Sequence, residues 1–199
     1  MGRSCTDHRV LEREPPTEWN MSDDLKQFLA RFDKIIMVSF GSMTNDKPEH
    51  FTQMILQLAQ KHAWAVIFNT ASGGFNATGA YPDHIRFVEY IPYKLILPRI
   101  YLVIHHGGTG TTHLSIKYGC VSIVIPHILD QFFWADTIHQ KKLGPKGIPI
   151  FKLTSASLET AILEALASRE YKINAEQIAL QMQSEPVYSE LIQMITQVV

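Results

Sequence analysis

The sequence predicts an α/β fold in which a parallel sheet is covered by helices on both faces. Apolar runs of strand length alternate with segments of helical spacing from Ile35 to Ser168. Ile35–Phe40 is too continuously apolar to be half exposed, which is the pattern of a strand buried on both faces. Tyr101–Ile104 runs through a glycine-rich turn into a helical pattern and then into Val121–Ile125, a strand–helix–strand unit.

The elements follow in order. Residues 1–20, with Pro15-Pro16 and mixed charge, read as a linker or tail, and residues 21–199 as one domain. Ser22 precedes Asp23, Asp24 and the apolar Leu25, Phe28, Leu29 and Phe32, a capped helix with acids in its first turn. Pro48–His62 carries Phe51, Met54, Ile55 and Leu58 at helical spacing; Trp64–Phe68 is the second strand, and Gly73-Gly74 a loop. Ile85–Val88 is the third strand, a helical turn lies around Leu95–Leu97, and Tyr101–Ile104 is the fourth strand. The glycine turn opens a helix to about Tyr118, ahead of the strand Val121–Ile125. Phe132–Lys142 and Ser155–Ser168 read as helices with a short strand near Ile148–Phe151 between them; the tail from Tyr171 is helical in pattern and interrupted at Pro186.

Composition narrows the function classes. A chain of 199 residues supports one well-buried domain, and 46% hydrophobic with 19% charged residues is far from the signature of disorder. The formal charge is −1, with 18 basic and 19 acidic residues and no Lys/Arg run, which argues against a nucleic-acid partner. No apolar run reaches membrane-spanning length, and Met1–Glu14 lacks the apolar core of a signal peptide. Cys5 and Cys120 form neither a CxxC pair nor a metal-ligand spacing, so a reducing compartment and a cytoplasmic location are expected.

The chemistry concentrates in His105-His106-Gly107-Gly108-Thr109-Gly110-Thr111-Thr112. Glycines let the backbone approach phosphate oxygens, free amides at the helix start point at an anion, and the threonine hydroxyls of Thr109, Thr111 and Thr112 can donate hydrogen bonds. An imidazole beside them can give a proton or a hydrogen bond to a leaving phosphate. The competing reading is a tight turn with two histidines that simply end a strand. No GxxxxGK[ST] is present, and Gly108-Thr109-Gly110 lacks the third small residue of a dinucleotide fingerprint. A zinc site from His105, His106 and His113 is disfavoured, because neighbouring strand residues point to opposite faces and the helical i, i+4 pair is absent.

Two further candidates lie at expected carboxyl ends of strands. Gly41-Ser42 follows the first strand, where ligands of parallel sheets bind. Asp130-Gln131 follows the strand Val121–Ile125; a carboxylate beside an amide can grip sugar hydroxyls, or Asp130 can cap the helix beginning near Phe132. Both readings of Asp130 are open at this point.

Six blocks, in order, resemble the C-terminal donor-binding domain of UDP-sugar glycosyltransferases built from two facing Rossmann-like domains (the GT-B architecture), closest to sterol glucosyltransferase-like members. They are Val38–Met43, Tyr90–Tyr93, Leu97-Pro98, His105–Thr112, Gly119–Pro126 and Asp130–Trp134. The resemblance implies a Rossmann-like single donor-binding half, with UDP-sugar as co-substrate and no metal or other cofactor. It implies that His106 and the backbone and hydroxyls of Gly107, Gly108, Thr109, Gly110, Thr111 and Thr112 hold the diphosphate, with Ser42 opposite. Asp130 and Gln131 would bind the donor sugar, the segment Tyr90 to Tyr93 would lie along the uracil, and His105 would be structural. Many members carry a Glu eight positions after the diphosphate histidine; here that residue is Leu114.

The implied activity is hexosyl transfer, of glucose first, with inversion, to a hydroxyl of a hydrophobic acceptor such as a sterol or lipid. His106 would stabilise the leaving diphosphate. The acceptor base would come from an N-terminal acceptor-binding domain or subunit, since the chain begins in what resembles the interdomain linker, and any contact with a membrane would run through the acceptor. The alternatives are a non-catalytic nucleotide-sugar-binding subunit needing a separate acceptor-binding partner, and a sugar-nucleotide epimerase of the same architecture.

Overall fold

The computed structural model describes residues 19–40, 48–70 and 81–184. The first helix, α1 (Asp23–Arg31), is capped by Ser22, whose hydroxyl oxygen accepts the Leu25 N–H at 3.2 Å. Asp23 and Asp24 in its first turn and Arg31 in its last complement the helix dipole. Leu25, Phe28 and Leu29 share one face at i, i+3, i+4 spacing, and that face is buried.

Five strands alternate with the remaining helices: β1 (Ile35–Ser39), α2 (Pro48–His62), β2 (Ala65–Asn69), β3 (Ile85–Val88), α3 (Tyr93–Ile96), β4 (Leu102–His105), α4 (Thr109–Lys117), β5 (Val121–Val124), α5 (Asp130–Gln140), α6 (Ser155–Ala167) and α7 (Arg169–Ser184). The tail helix thus begins two residues before Tyr171, and Pro186 lies outside the described residues. All strand pairs are parallel, in the order β3-β2-β1-β4-β5.

Strand alternation sorts the core into layers. Ile36, Val38, Ile104 and Ile123 pack with α2 and α6, whereas Ile35, Met37 and Val103 pack with α1 and with Ile96 of α3. Val124 meets Ile116 of α4, Ala135 and Ile138 of α5, and Ala175 of α7. Because β1 and β4 are buried on both faces, their sequences show continuous apolarity rather than alternation.

The strand order positions the site. From β1 the chain crosses to β2 and β3, then returns to β4 on the other side of β1. The sheet order therefore reverses between β1 and β4, and the carboxyl ends of two such strands are where parallel sheets place their ligands.

The expected strand near Ile148–Phe151 is a 3-10 turn at Ile150–Lys152 instead. The start of a strand is there: Ile148 and Ile150 donate their N–H groups to the carbonyls of Val124 and Pro126, at 3.0 and 3.1 Å, alongside β5. Pro149 lies between them, and two residues after Ile150 the Lys152 N–H turns back to the Pro149 carbonyl at 2.8 Å. Once the carbonyl accepts locally, the chain curls and the pairing stops.

Candidate functional site

The carboxyl edge of the sheet carries a buried polar row. Ser39 of β1 and His105 of β4 are register partners. The Ser39 hydroxyl accepts from Asn69 Nδ2 at 3.5 Å and pairs with the Tyr93 hydroxyl at 2.5 Å. His105 is fully buried, and its Nδ1 accepts the Gly107 N–H at 3.1 Å, which places its proton on Nε2. Burial, with the field of His106, pushes the His105 pKa down to about 3. His105 is thus a neutral brace that shapes the start of the turn.

The turn itself needs its glycines. Gly107 sits at φ +92°, and a Cβ there would lie 2.7 Å from Val124 Cγ1 and 3.0 Å from the Gln131 carbonyl, so β5 and α5 close directly over it. Gly108 is the N-cap of α4, and a Cβ on it would lie 2.3 Å from His106 Nε2. The His106 ring therefore occupies the space that any other N-cap side chain would fill. No side chain caps α4. Its first amides, on Thr109, Gly110 and Thr111, open toward the carboxyl edge of the sheet with the positive end of the helix dipole.

His106 is 8% exposed, and its Nδ1 is buried without a protein partner. Burial first, and the field of His127 second, push its pKa down to about 4, with Asp130 acting against them. At neutral pH it is an uncharged imidazole, able to donate one hydrogen bond. The proton-donating imidazolium, one of the two roles the sequence suggested, is not populated there without an added negative charge.

The second wall comes from α5, which starts at Asp130, two residues ahead of the expected start at Phe132. Leu129 is its N-cap, so Asp130 lies in the first turn and is not the cap. The Thr109 hydroxyl donates to Asp130 Oδ2 at 3.4 Å and accepts from the Trp134 indole N–H at 3.1 Å, tying the starts of α4 and α5 together. Gln131 is 4% exposed, and its side-chain oxygen accepts the N–H groups of His127 and Ile128 at 2.7 and 3.1 Å. That oxygen clamps the loop after β5, which leaves the Gln131 amide nitrogen for a ligand.

The structure brings His106, Gly107, Gly108, Thr109, Gly110, Thr111, Asp130 and Gln131 together at the carboxyl ends of β4 and β5. Tyr93 stands beside β1 with its hydroxyl committed to Ser39, and Tyr90 is half exposed just after β3. Ser42 lies outside the described residues. The expected hydroxyl donor Thr112 is corrected: it is fully buried and bonds the Gly108 carbonyl at 3.0 Å, the bond a mid-helix threonine makes with the preceding turn. Among the described residues, no three of the His, Cys, Asp and Glu side chains converge as a metal cluster.

Sequence reasoning assigned no role to Ser39, His127 or Trp134. The register at the end of β1 marks Ser39, and the spacing from Asp130 to Trp134 (i, i+4) marks the indole. Nothing local marks His127, whose influence on His106 is purely spatial.

An uncapped helix start, a buried imidazole and a carboxylate on the facing helix meet at the carboxyl edge of the sheet, a set of donors and acceptors that suits a phosphate beside a polyol. The chain belongs to the family described as "Erythromycin biosynthesis protein CIII-like, C-terminal domain", whose model matches residues 53–198. It is 32% identical over 172 residues to "Sterol 3-beta-glucosyltransferase UGT80A2" of Arabidopsis thaliana, covering 86% of this chain and 26% of that protein. With "Sterol 3-beta-glucosyltransferase UGT80B1" of the same plant it shares 30% over 170 residues, covering 85% and 28%. The chain thus spans about a quarter of the length of these relatives.

The fold is that of the C-terminal half of GT-B glycosyltransferases. "Spinosyn Forosaminyltransferase SpnP" matches with a TM-score of 0.77 at 16% identity, over 96% of this chain and 49% of that one. The glycosyltransferase SnogD from Streptomyces nogalater matches at 0.66 and 20%, over 82% and 43%. Relatives that are themselves transferases do not favour the alternative of a non-catalytic binding subunit.

Proposed function

We propose that this chain is the donor-binding half of an inverting UDP-sugar-dependent glycosyltransferase that moves a hexose, glucose first, onto a hydroxyl of a sterol or comparable lipid. The observation that carries the reading is the joint placement of the open α4 start, the Gly108-backed His106 ring and Asp130 on α5. The relatives named as sterol 3-beta-glucosyltransferases support the donor and acceptor classes.

In this reading the diphosphate lies on the amides of Gly108 to Thr111, and His106 donates a hydrogen bond to a phosphate oxygen. Asp130 accepts from the sugar hydroxyls and the Gln131 amide nitrogen donates to them. The acceptor oxygen attacks the anomeric carbon as the bond from that carbon to the phosphate oxygen breaks, and UDP leaves with the electron pair. The acceptor proton passes to a base on the acceptor-binding half. Charge growing on UDP strengthens the helix and His106 contacts, so they favour the transition state over the bound donor. No metal or other cofactor is invoked. The Tyr90 to Tyr93 segment lies along the uracil and Ser42 faces the diphosphate. The chain works in the cytoplasm, meeting a membrane only through its acceptor.

Calorimetry with UDP and UDP-glucose tests the donor site. Micromolar binding to the purified chain is expected, and no heat with either ligand sinks the proposal. In the two-domain enzyme, His106→Ala should lower turnover by more than it weakens UDP, about 10-fold or more against a few-fold.

A further inference from the structure

Leu129 combines two properties that oppose each other. Its backbone sits at φ +44°, ψ −119°, a conformation that favours glycine, and its side chain is 84% exposed. Neither local sterics nor core burial accounts for a leucine there. Ile128 is 51% exposed and Phe133, one turn further on, 64%, while Phe132 is at 36%. Among the described residues, four of the ten exposed large apolar side chains fall in these six positions. The others, such as Leu163 and Leu180, are scattered along the chain.

The patch borders the sugar site. Asp130 is flanked by Leu129 in sequence and by Phe133 at helical i, i+3 spacing, and the Phe133 ring stands edge-on to Trp134 at 5.4 Å. Trp134 in turn holds Thr109. Direct displacement requires the acceptor hydroxyl within about 3–3.5 Å of the anomeric carbon. An acceptor that reaches a sugar held by Asp130 must therefore lie along the neighbouring surface.

We propose that Ile128, Leu129 and Phe133 form the donor-side wall of the acceptor subsite, and that they select an acceptor that is apolar right up to its reacting hydroxyl. The proposal rests on the glycosyltransferase reading of the same site. The loop pays for Leu129 in backbone strain, and Gln131 holds it in place through the His127 and Ile128 amides. The backbone that carries the wall is thus held by bonds within the chain itself.

Trp134 makes a built-in reporter. Dehydroergosterol carried on methyl-β-cyclodextrin is titrated into the UDP-saturated chain, with energy transfer from tryptophan as the readout. Saturable transfer is expected, weakened at least 10-fold in the Leu129→Ser/Phe133→Ser variant, with UDP affinity by calorimetry changed less than 2-fold. Leu129→Gly keeps the loop geometry and relieves the strain, so it should melt about 2 °C or more higher while still losing sterol affinity. Failure of UDP to bind removes the donor reading and the wall with it. UDP binding without saturable transfer, or transfer that the variants leave unchanged, overturns the wall alone. A chain that elutes as a dimer and becomes monomeric in Leu129→Ser/Phe133→Ser also overturns it, assigning the patch to a second copy.

Discussion

The α-carbon of Gly108 lies against the imidazole of His106 so closely that an added Cβ would sit 2.3 Å from Nε2. The glycine is therefore part of the histidine's position. In Gly108→Ala the ring must rotate away, because the competing atom is the ring itself and not a flexible chain end. The φ of Gly108 is −63°, so no backbone strain accompanies the change, and the fold should survive with a loss of about 1–3 kcal/mol. UDP affinity should fall a few-fold by calorimetry, and turnover in the two-domain enzyme by about 10-fold or more. Retained affinity would mean that His106 does not touch the ligand.

Gly110 is the matched control. A Cβ there meets nothing within 4 Å, and the residue is exposed in the first turn of α4. On helix propensity alone, Gly110→Ala should raise stability by about 0.5–1 kcal/mol in chemical denaturation. If the diphosphate seats on this turn, the same methyl group blocks it, and UDP affinity drops although the protein is more stable. A rise in stability with unchanged affinity would place the ligand elsewhere on the turn.

Gln131 ties fold to site. Its oxygen serves two backbone donors, so Gln131→Ala leaves the part-buried amides of His127 and Ile128 without their protein partner, at a cost of about 1–2 kcal/mol. The melting temperature should fall by several degrees, and UDP-glucose should weaken more than UDP, since the loop leads directly into Asp130, whereas the turn after β4 keeps its own brace from Gly107 N–H to His105 Nδ1. Equal weakening of both ligands would contradict a role at the sugar.

How legible this was in the sequence depended on whether the signal was local. The two-sided burial of β1 and β4 is written as unbroken apolar runs, and Ser22 marks the start of α1 because capping is a local hydrogen bond. The turn after His105 was legible for the same reason: glycines at a strand end announce a close approach. The strand expected near Ile148 failed at Pro149, where one curl of the backbone outweighed side-chain pattern. Leu129 at positive φ has no local signature at all, since a leucine predicts the opposite. The division of labour between Gln131 and Asp130 was hidden likewise, because it depends on which side chain the loop buries.

A buried clash gives a sharper test of the fold itself. A Cβ on Gly144 would lie 1.8 Å from the Ser122 carbonyl oxygen and 3.3 Å from Ile138 Cγ2. The first atom is backbone in β5 and cannot swing aside. Gly144→Ala should therefore cost about 3 kcal/mol or more, and either fail to yield folded protein or melt at least about 6 °C lower. A near-native melting temperature would mean that the segment after α5 does not approach β5 this closely.

The two histidines set the response to pH. Their folded pKa values, about 3 for His105 and about 4 for His106, lie below the roughly 6.5 of an unfolded chain. Between these values the unfolded state binds more protons, so unfolding free energy rises with pH across that window. The stabilisation is complete above about pH 6.5 and is lost as pH falls toward 4 and then 3. Melting temperature should be level near pH 7 to 8 and drop steadily below 6.5, less steeply in His106→Gln, which takes up no proton. Ligand binding reverses the sign for His106. A diphosphate beside the ring raises its pKa, so UDP-glucose should bind more tightly as pH falls from 6.5 toward 4 and should draw in protons as it binds. Calorimetry at pH 5.5 in two buffers of different ionisation enthalpy measures that uptake directly. The wild-type chain should take up a measurable fraction of a proton and His106→Gln none; equal uptake by both would place the diphosphate away from His106.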